Sequence, residues 1–166
     1  LIDDLLQFTA ASTPRFERVR VRQVIDQVLA ASAPQMISQG IVAAVDVPAG
    51  QTLLADREMF GRSIANLVRN ALDAMPTGGE LVFTSYDGPG GFELEVADSG
   101  PGLDPETRRH LFEPFYSTKP ESAGLGLAVV AQIVAAHGGQ VTVQNCPEGG
   151  AAFTLRFPRQ ALEAAA

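Results

Sequence analysis

Cysteine and long apolar segments are scarce in this sequence of 166 residues. Cys146 is the single cysteine, so the chain cannot form an intramolecular disulfide, and we expect a reducing compartment, the cytoplasm. No apolar run approaches the roughly 18 residues that a membrane-spanning helix needs, and no basic segment followed by an apolar one marks secretion. Because the sequence begins at Leu1 with residues typical of the middle of a helix, we expect it to belong to a longer protein.

The sequence also has few basic residues. Lysine and arginine number 12 against 19 acidic residues, which gives a net charge of −7 without a long block of either sign. A nucleic acid would meet an unfavourable overall field, so we expect no nucleic-acid partner. Because no apolar run is long enough to cross a bilayer, we expect no membrane contact by this fragment. Apolar residues are plentiful at 46%, enough for one domain with a core, while the length is too small for two ordinary domains.

Apolar spacing and turn residues divide the chain into blocks of helix and strand. Helical spacing predicts helices at 1–8, 21–40, 57–75 and 124–137, with Asp56 as the N-cap of the third. Alternation predicts strands at 16–21, 41–47, 52–55, 81–86, 92–97, 140–144 and 151–157. We therefore expect an α+β fold, a two-layer α/β sandwich whose mixed, mostly antiparallel sheet is covered on one face by helices. Residues 98–123 show little periodicity, which is typical of a lid or binding loop.

A polar stripe runs along the helix predicted at 57–75. Asn66, Asn70 and Asp73 are spaced i, i+4, i+7 and share one face, opposite an apolar face suited to a sheet. Amide oxygens are hard ligands that suit Mg²⁺ together with substrate phosphates. Taken alone, the stripe is more typical of a solvated helix surface.

A carboxylate followed by two glycines ends the strand predicted at 92–97. Asp98 could accept a hydrogen bond from an exocyclic amine, while Gly100 and Gly102 would let a flat ring approach the backbone closely. That arrangement suits adenine. The alternative is an ordinary turn, because the same residue types favour turns.

An aromatic cluster inside the long loop ends in a cation. Phe112, Phe115 and Tyr116 could pin a mobile lid to the domain, and Lys119 could reach phosphate oxygens. The alternative is a small satellite hydrophobic cluster beneath a long loop.

Glycines also open the apolar helix predicted at 124–137. Around Gly124 and Gly126, backbone N–H groups at a helix N-terminus could bind phosphate oxygens with help from the helix dipole. The segment is not a Walker loop, because no Gly-Lys-Ser/Thr follows. Close helix packing would explain the glycines as well.

In order and spacing, these four segments resemble the N box, first glycine box, F box and second glycine box of the sensor histidine kinases. That family belongs to a superfamily with type II topoisomerases, mismatch-repair clamps and a heat-shock chaperone. The resemblance covers residues 16–158, with 136–139 and 150–156 similar to the family's final helix and hairpin. It implies the Bergerat ATP-binding fold, with ATP and Mg²⁺ as cofactors.

The resemblance implies a role for each motif residue. Asn70 would hold Mg²⁺ against the triphosphate, with Asn66 as its neighbour in the box and Asp73 on the same face. Asp98 would bind the adenine amine, while Gly100 and Gly102 would shape the pocket. The lid would contain Tyr116 and Lys119, and backbone donors to the phosphates would come from Gly124, Leu125, Gly126 and Leu127.

The lid sequence is similar to that of the nitrogen-regulation and oxygen-sensor subgroup, with one departure. Ser122 and Ala123 stand where the family often has a glycine before the second glycine box. Because a missing glycine stiffens a hinge, we expect an effect on lid ordering or nucleotide affinity.

The N-terminus resembles the end of the second helix of the dimerisation and phosphotransfer hairpin. We therefore divide the chain into this helix end at 1–12, a catalytic ATP-binding domain at 13–160 and a tail at 161–166. The helix that would carry the phosphoacceptor histidine is absent, and His110 and His137 are expected to be structural or surface residues. The expected partners are ATP or ADP, the phosphotransfer hairpin of the full-length kinase and, indirectly, a response regulator.

Two other functions compete with histidine kinase. Hydrolases of the superfamily carry a glutamate, as general base for water, four residues before the Mg²⁺-binding asparagine. Asn66 occupies that position here and cannot take a proton, which favours a kinase over an ATPase. A nucleotide-binding regulatory module without transfer activity remains open from the residues alone.

Overall fold

Two layers, one of helices and one of strands, make up the computed structural model, which describes residues 2–9 and 13–159. Its helices are α1 (Ile2–Thr9), α2 (Val21–Gln39), α3 (Arg57–Ala74), α4 (Pro105–His110) and α5 (Gly126–Ala136). Its strands are β1 (Glu17–Arg20), β2 (Ile41–Asp46), β3 (Thr52–Ala55), β4 (Gly79–Gly88), β5 (Gly91–Asp98), β6 (Gln140–Asn145) and β7 (Ala151–Pro158).

Five strands form the main sheet in the order β2-β4-β5-β7-β6. The β2–β4 pair is parallel and the other pairs are antiparallel, while β1 and β3 form a separate antiparallel pair. The predicted α+β sandwich with a mixed, mostly antiparallel sheet is thus confirmed. Among the described residues, no helix is both long and apolar enough to cross a membrane.

Helix α3 is the central helix and begins where the sequence predicts. Asp56 caps it, because Oδ1 accepts the Met59 N–H at 3.0 Å while Oδ2 accepts the Arg15 N–H at 2.8 Å. Although partial burial alone raises the pKa of Asp56, these N–H groups outweigh it and lower the pKa below the usual 3.8. The apolar face of α3 packs on the sheet, and Phe60 and Ile64 are fully buried. Truncating Phe60 to alanine would cost about 3–5 kcal/mol.

His137 is a buried structural residue that joins the end of α5 to the start of α3. Its Nδ1 lies 2.7 Å from the Ile133 carbonyl oxygen, which can only accept, so Nδ1 donates. Nε2 then accepts the Asp56 N–H at 3.0 Å. The ring is 1% exposed and meets Phe16 and Phe157 edge to face. This agrees with the prediction that His137 is a structural or surface residue, and places it in the first class.

The long loop contains a short helix that periodicity does not predict. Asp104 caps α4 by accepting the Thr107 N–H at 2.9 Å, and Pro105 occupies the first turn. Because α4 is short and mostly polar, no apolar stripe reveals it. Elsewhere the boundaries shift by a residue or two, and the predicted tail at 161–166 lies outside the described residues, as do 1 and 10–12 of the N-terminal segment.

Candidate functional site

One cavity, of about 120 Å³, lies between the polar face of α3, the long loop and the start of α5. It brings together most of the predicted site residues from three separate segments. The wall from α3 contains Asn66, Asn70 and Asp73. The remaining predicted residues that line the cavity are Tyr116, Lys119, Gly124, Leu125, Gly126 and Leu127.

The polar stripe of α3 runs from the floor of the cavity to its mouth. Asn66 is 8% exposed, Asn70 is half-buried and the Asp73 side chain is 43% exposed. Gly126, at the start of α5, lies against the Asn66 amide, since a β-carbon added there would sit 4.0 Å from the Asn66 Cγ. The first-turn N–H groups of α5 have no intrahelical acceptor, so this end of the cavity suits an anion.

An ion pair crosses the mouth of the cavity. Lys119 Nζ lies 3.1 Å from Asp73 Oδ2, and each side chain is 43% exposed. An exposed pair of this kind contributes about 0–1 kcal/mol, so it can open readily. The cation predicted to reach phosphate is therefore held at the cavity by a carboxylate of α3.

The backbone at the start of the predicted lid, at Phe115, lies directly against the backbone at its end, at Gly124. The Phe115 N–H donates to the Gly124 carbonyl at 3.1 Å, and Phe115 has a φ of 67°, which is uncommon for a residue with a side chain. A β-carbon on Gly124 would collide with the backbone of Tyr116, so only glycine fits there. The Phe115 ring, 66% exposed, lies 6.4 Å from that of Phe8 in α1.

The aromatic residues of the loop divide between the core and the cavity. Phe112 packs edge to face on Phe153 of the sheet and belongs to the edge of the main core, not to the separate satellite cluster that the sequence allowed. Tyr116 faces the cavity, and its ring lies 5.6 Å from that of His110. His110 is partly exposed and lies 2.9 Å from Glu113.

Ser122 is hydrogen-bonded to the hinge. Its Oγ accepts the Gly124 N–H at 3.2 Å, so one of the backbone donors predicted for phosphate is already engaged. This contact depends on the serine that replaces the glycine usual in the resembling family.

Asp98, Gly100 and Gly102 do not line this cavity. Asp98 is 6% exposed at the end of β5, and its Oδ1 accepts the N–H groups of Gly100 at 2.9 Å and Ala151 at 3.4 Å. Burial raises the pKa of this carboxyl, and the two N–H groups offset part of that effect. Gly100 packs against Ala74, the neighbour of Asp73, so the two parts of the predicted site meet at the end of α3.

Known proteins resemble the chain in both sequence and structure. A family model described as histidine kinase-, DNA gyrase B- and HSP90-like ATPase matches residues 55–161. A solved mycobacterial sensor histidine kinase, MprB, is 31% identical, with a TM-score of 0.75 over 87% of this chain and 97% of that one. The chain belongs to this family, as the ATP-binding domain of a sensor histidine kinase.

Two further relatives are much longer than this chain. The sensor protein KdpD of Escherichia coli K12 is 32% identical over 96% of this chain, which spans 19% of the length of KdpD. A structure of full-length ShkA in complex with AMPPNP is 31% identical, with a TM-score of 0.81 over 96% of this chain and 36% of that one. This histidine kinase domain therefore corresponds to a minor part of each.

The cavity of this kinase domain also contains residues that the sequence did not single out. Arg69 and Thr107 line it, the first on α3 and the second on α4. Arg69 follows Asn66 by three positions, so the helical spacing could have indicated it. Thr107 is 8% exposed, and the only sequence signal for it is the Asp104 cap three residues earlier.

Proposed function

We propose that this domain binds Mg-ATP and that the γ-phosphate of the ATP is transferred to a histidine outside the chain. Adenine would lie at Asp98, and the triphosphate would lie between α3 and the start of α5. The observation that carries the proposal is the cavity that the polar stripe of α3, the lid cation and the glycine-rich start of α5 form together. An anion is the ligand that such a combination suits best.

The donor set fits a magnesium ion that is held partly by its nucleotide. Among the residues that the structure describes, no group of three or more histidine, cysteine or acidic side chains could hold a metal. An amide oxygen of Asn70 together with phosphate oxygens and water matches the few protein ligands that Mg²⁺ usually takes. When bound, the ion would offset charge on the phosphates during transfer.

The chain's own residues would orient the phosphates, and an amide stands at the position where a hydrolase of the superfamily has its base for water. Asn66, at the floor of the cavity, is an amide and cannot accept a proton as the glutamate of a hydrolase does. This supports transfer to a histidine over hydrolysis. We further propose that the histidine lies on the phosphotransfer hairpin of the full-length kinase, that a response regulator receives the phosphoryl group next, and that both steps occur in the cytoplasm.

Nucleotide entry would require the lid to move. The cavity of about 120 Å³ is smaller than the roughly 300–1,000 Å³ usual for ligand pockets. Lys119 spans its mouth to reach Asp73. We propose that Lys119 exchanges Asp73 for phosphate oxygens when ATP binds, so Asp73 would act through Lys119 rather than as a direct ligand.

Calorimetry with Mg-ATP tests the site. Asn70→Ala and Asp98→Ala should each raise the Kd by about tenfold or more, because each removes a polar contact to the ligand. Gln35→Ala, which removes an exposed amide from α2, is the matched control and should bind like the unaltered domain. Equal affinity in all four proteins would reject the assignment.

Labelled ATP tests the reaction. This chain alone should incorporate no labelled phosphate, including the acid-labile, base-stable phosphate of phosphohistidine, and it should release inorganic phosphate slowly. Rapid release would favour a superfamily ATPase, and binding without transfer to a supplied hairpin would favour a regulatory module.

A further inference from the structure

Asn145, the last residue of β6, holds the backbone of the loop that follows Asp98. Its Oδ1 accepts the Leu103 N–H at 2.9 Å, and its Nδ2 donates to the Leu103 carbonyl at 2.8 Å. A single amide thus satisfies both backbone groups of one residue, as the edge of a neighbouring strand would. Leu103 and Asn145 are 42 positions apart, so this contact fixes two distant segments relative to each other.

The sheet holds the first residue of this loop, Ser99, whose N–H donates to the Glu80 carbonyl at 3.1 Å, and the loop needs a further contact beyond it. The ladder between β5 and β7 ends at the pair Ala97 and Ala152, one residue before Asp98. Gly100 and Gly102 then continue without a strand partner, and Leu103 packs against the main core. An unsupported loop with two glycines has many conformations, and holding one of them costs conformational entropy.

The hairpin that carries Asn145 also reaches Asp98 directly. Asn145 pairs in register with Ala151, whose N–H lies 3.4 Å from Asp98 Oδ1. The preceding residue, Gly150, packs so closely on the backbone of Asp98 that a β-carbon there would overlap its carbonyl oxygen. Asp98 and Leu103, the two ends of the loop, are therefore both held by the β6–β7 hairpin.

We propose that Asn145 is a positioning residue for the base-binding site, acting through Leu103 on the loop between Asp98 and Leu103. The inference rests on the proposed function, because it takes Asp98 as the acceptor for the adenine amine. Asn145 does not line the cavity between α3 and α5, so its effect should fall on recognition of the base and not on the triphosphate.

The test compares Asn145→Ala with the neighbouring Gln144→Ala, which removes an exposed amide from the same strand. Asn145→Ala should raise the Kd of ATP and of adenosine by the same factor, about fivefold to tenfold, since two hydrogen bonds to the loop are lost. It should leave the Kd of ITP, whose base lacks the exocyclic amine, within about twofold of the unaltered domain. Gln144→Ala should change none of the three.

Asn145→Asp separates positioning from simple loss of stability. The carboxylate keeps an acceptor for the Leu103 N–H but faces the Leu103 carbonyl without a donor, so it should bind ATP no better than Asn145→Ala. In an Asp98→Ala background, Asn145→Ala should have little further effect on ATP, because both changes act on one contact. Denaturant unfolding of each variant establishes that the protein is folded during the binding measurements.

Two outcomes would overturn the inference. One is an Asn145→Ala domain that is less stable but binds ATP and adenosine like the unaltered protein. The other is an equal loss for ATP and ITP, which would show that the effect does not act through the exocyclic amine. Failure of the proposed function itself looks different, because Asp98→Ala alone would then bind ATP normally.

Discussion

Replacing Asp98 with asparagine should weaken ATP binding and stabilise the free domain. Asparagine has nearly the same shape, and its Oδ1 can still accept the N–H groups of Gly100 and Ala151. What is lost is the charge and the second carboxylate oxygen, which is replaced by an amide NH2 group that can only donate and so opposes the adenine amine. A hydrogen bond to a charged group contributes about 1.5–3 kcal/mol, so the Kd of Mg-ATP should rise by about 10- to 150-fold.

The stability of the same variant should change in the opposite direction. Burial raises the pKa of Asp98 above its usual 3.8, so the ionised carboxylate destabilises the folded state at neutral pH. This penalty is fully present above the folded-state pKa and disappears as the pH falls through it. Asp98→Asn should therefore have the larger free energy of unfolding at about pH 7, and the difference should shrink as the solution is acidified.

Urea unfolding at several pH values and calorimetry at about pH 7 measure both effects. Asp46→Asn, at the exposed end of β2, is the matched control for removing a strand-end carboxylate and should leave the Kd unchanged. The reasoning would be refuted by an Asp98→Asn domain that binds Mg-ATP normally. A domain less stable than the original at neutral pH would show that the carboxylate's hydrogen bonds outweigh its burial.

Two further predictions concern contacts around the cavity, and a third concerns the cap of α3. Asp73→Asn should lower the Kd of Mg-ATP by up to about fivefold, because the exposed ion pair that competes with phosphate for Lys119 contributes about 0–1 kcal/mol. Weaker binding would instead make Asp73 a nucleotide ligand. Ser122→Ala should also tighten binding by a few fold in calorimetry, since the Gly124 N–H becomes available to phosphate, and an unchanged Kd would contradict this. Asp56→Ala should lower the free energy of unfolding by about 1 kcal/mol near pH 7, because the cap of α3 is lost. Since folding lowers the pKa of Asp56, this loss should disappear as the pH falls below the folded-state pKa. A loss that persists in acid would oppose the capping argument.

Local features of the fold could be predicted from the sequence because local rules determine them. Asn66, Asn70 and Asp73 share a face of α3 for the reason that a helix repeats every 3.6 residues, whatever surrounds it. Asp56 begins α3 because its carboxylate satisfies N–H groups that the first turn leaves unpaired. Of the segments that the motif order grouped into one site, three meet in one cavity, while Asp98, Gly100 and Gly102 do not line it.

Contacts between distant segments could not be predicted in the same way. The pairing of β1 with β3, and the parallel pairing of β2 with β4, depend on how the whole chain packs. The ion pair of Lys119 with Asp73 and the hydrogen bonds of Asn145 to Leu103 join residues with no shared periodicity. Helix α4 escaped prediction because a short polar helix held by a cap and a proline has no apolar pattern.

The ion pair at the mouth of the cavity involves the only lysine in the sequence, Lys119. An amine-selective reagent would therefore have one side chain to attack in the entire chain, besides the terminal amine. A dye attached there would sit on the lid itself, and its emission would follow opening and closing without any engineered residue. Protection of that amine by a ligand would likewise make acylation a direct assay for occupancy in a mixture of candidate nucleotides.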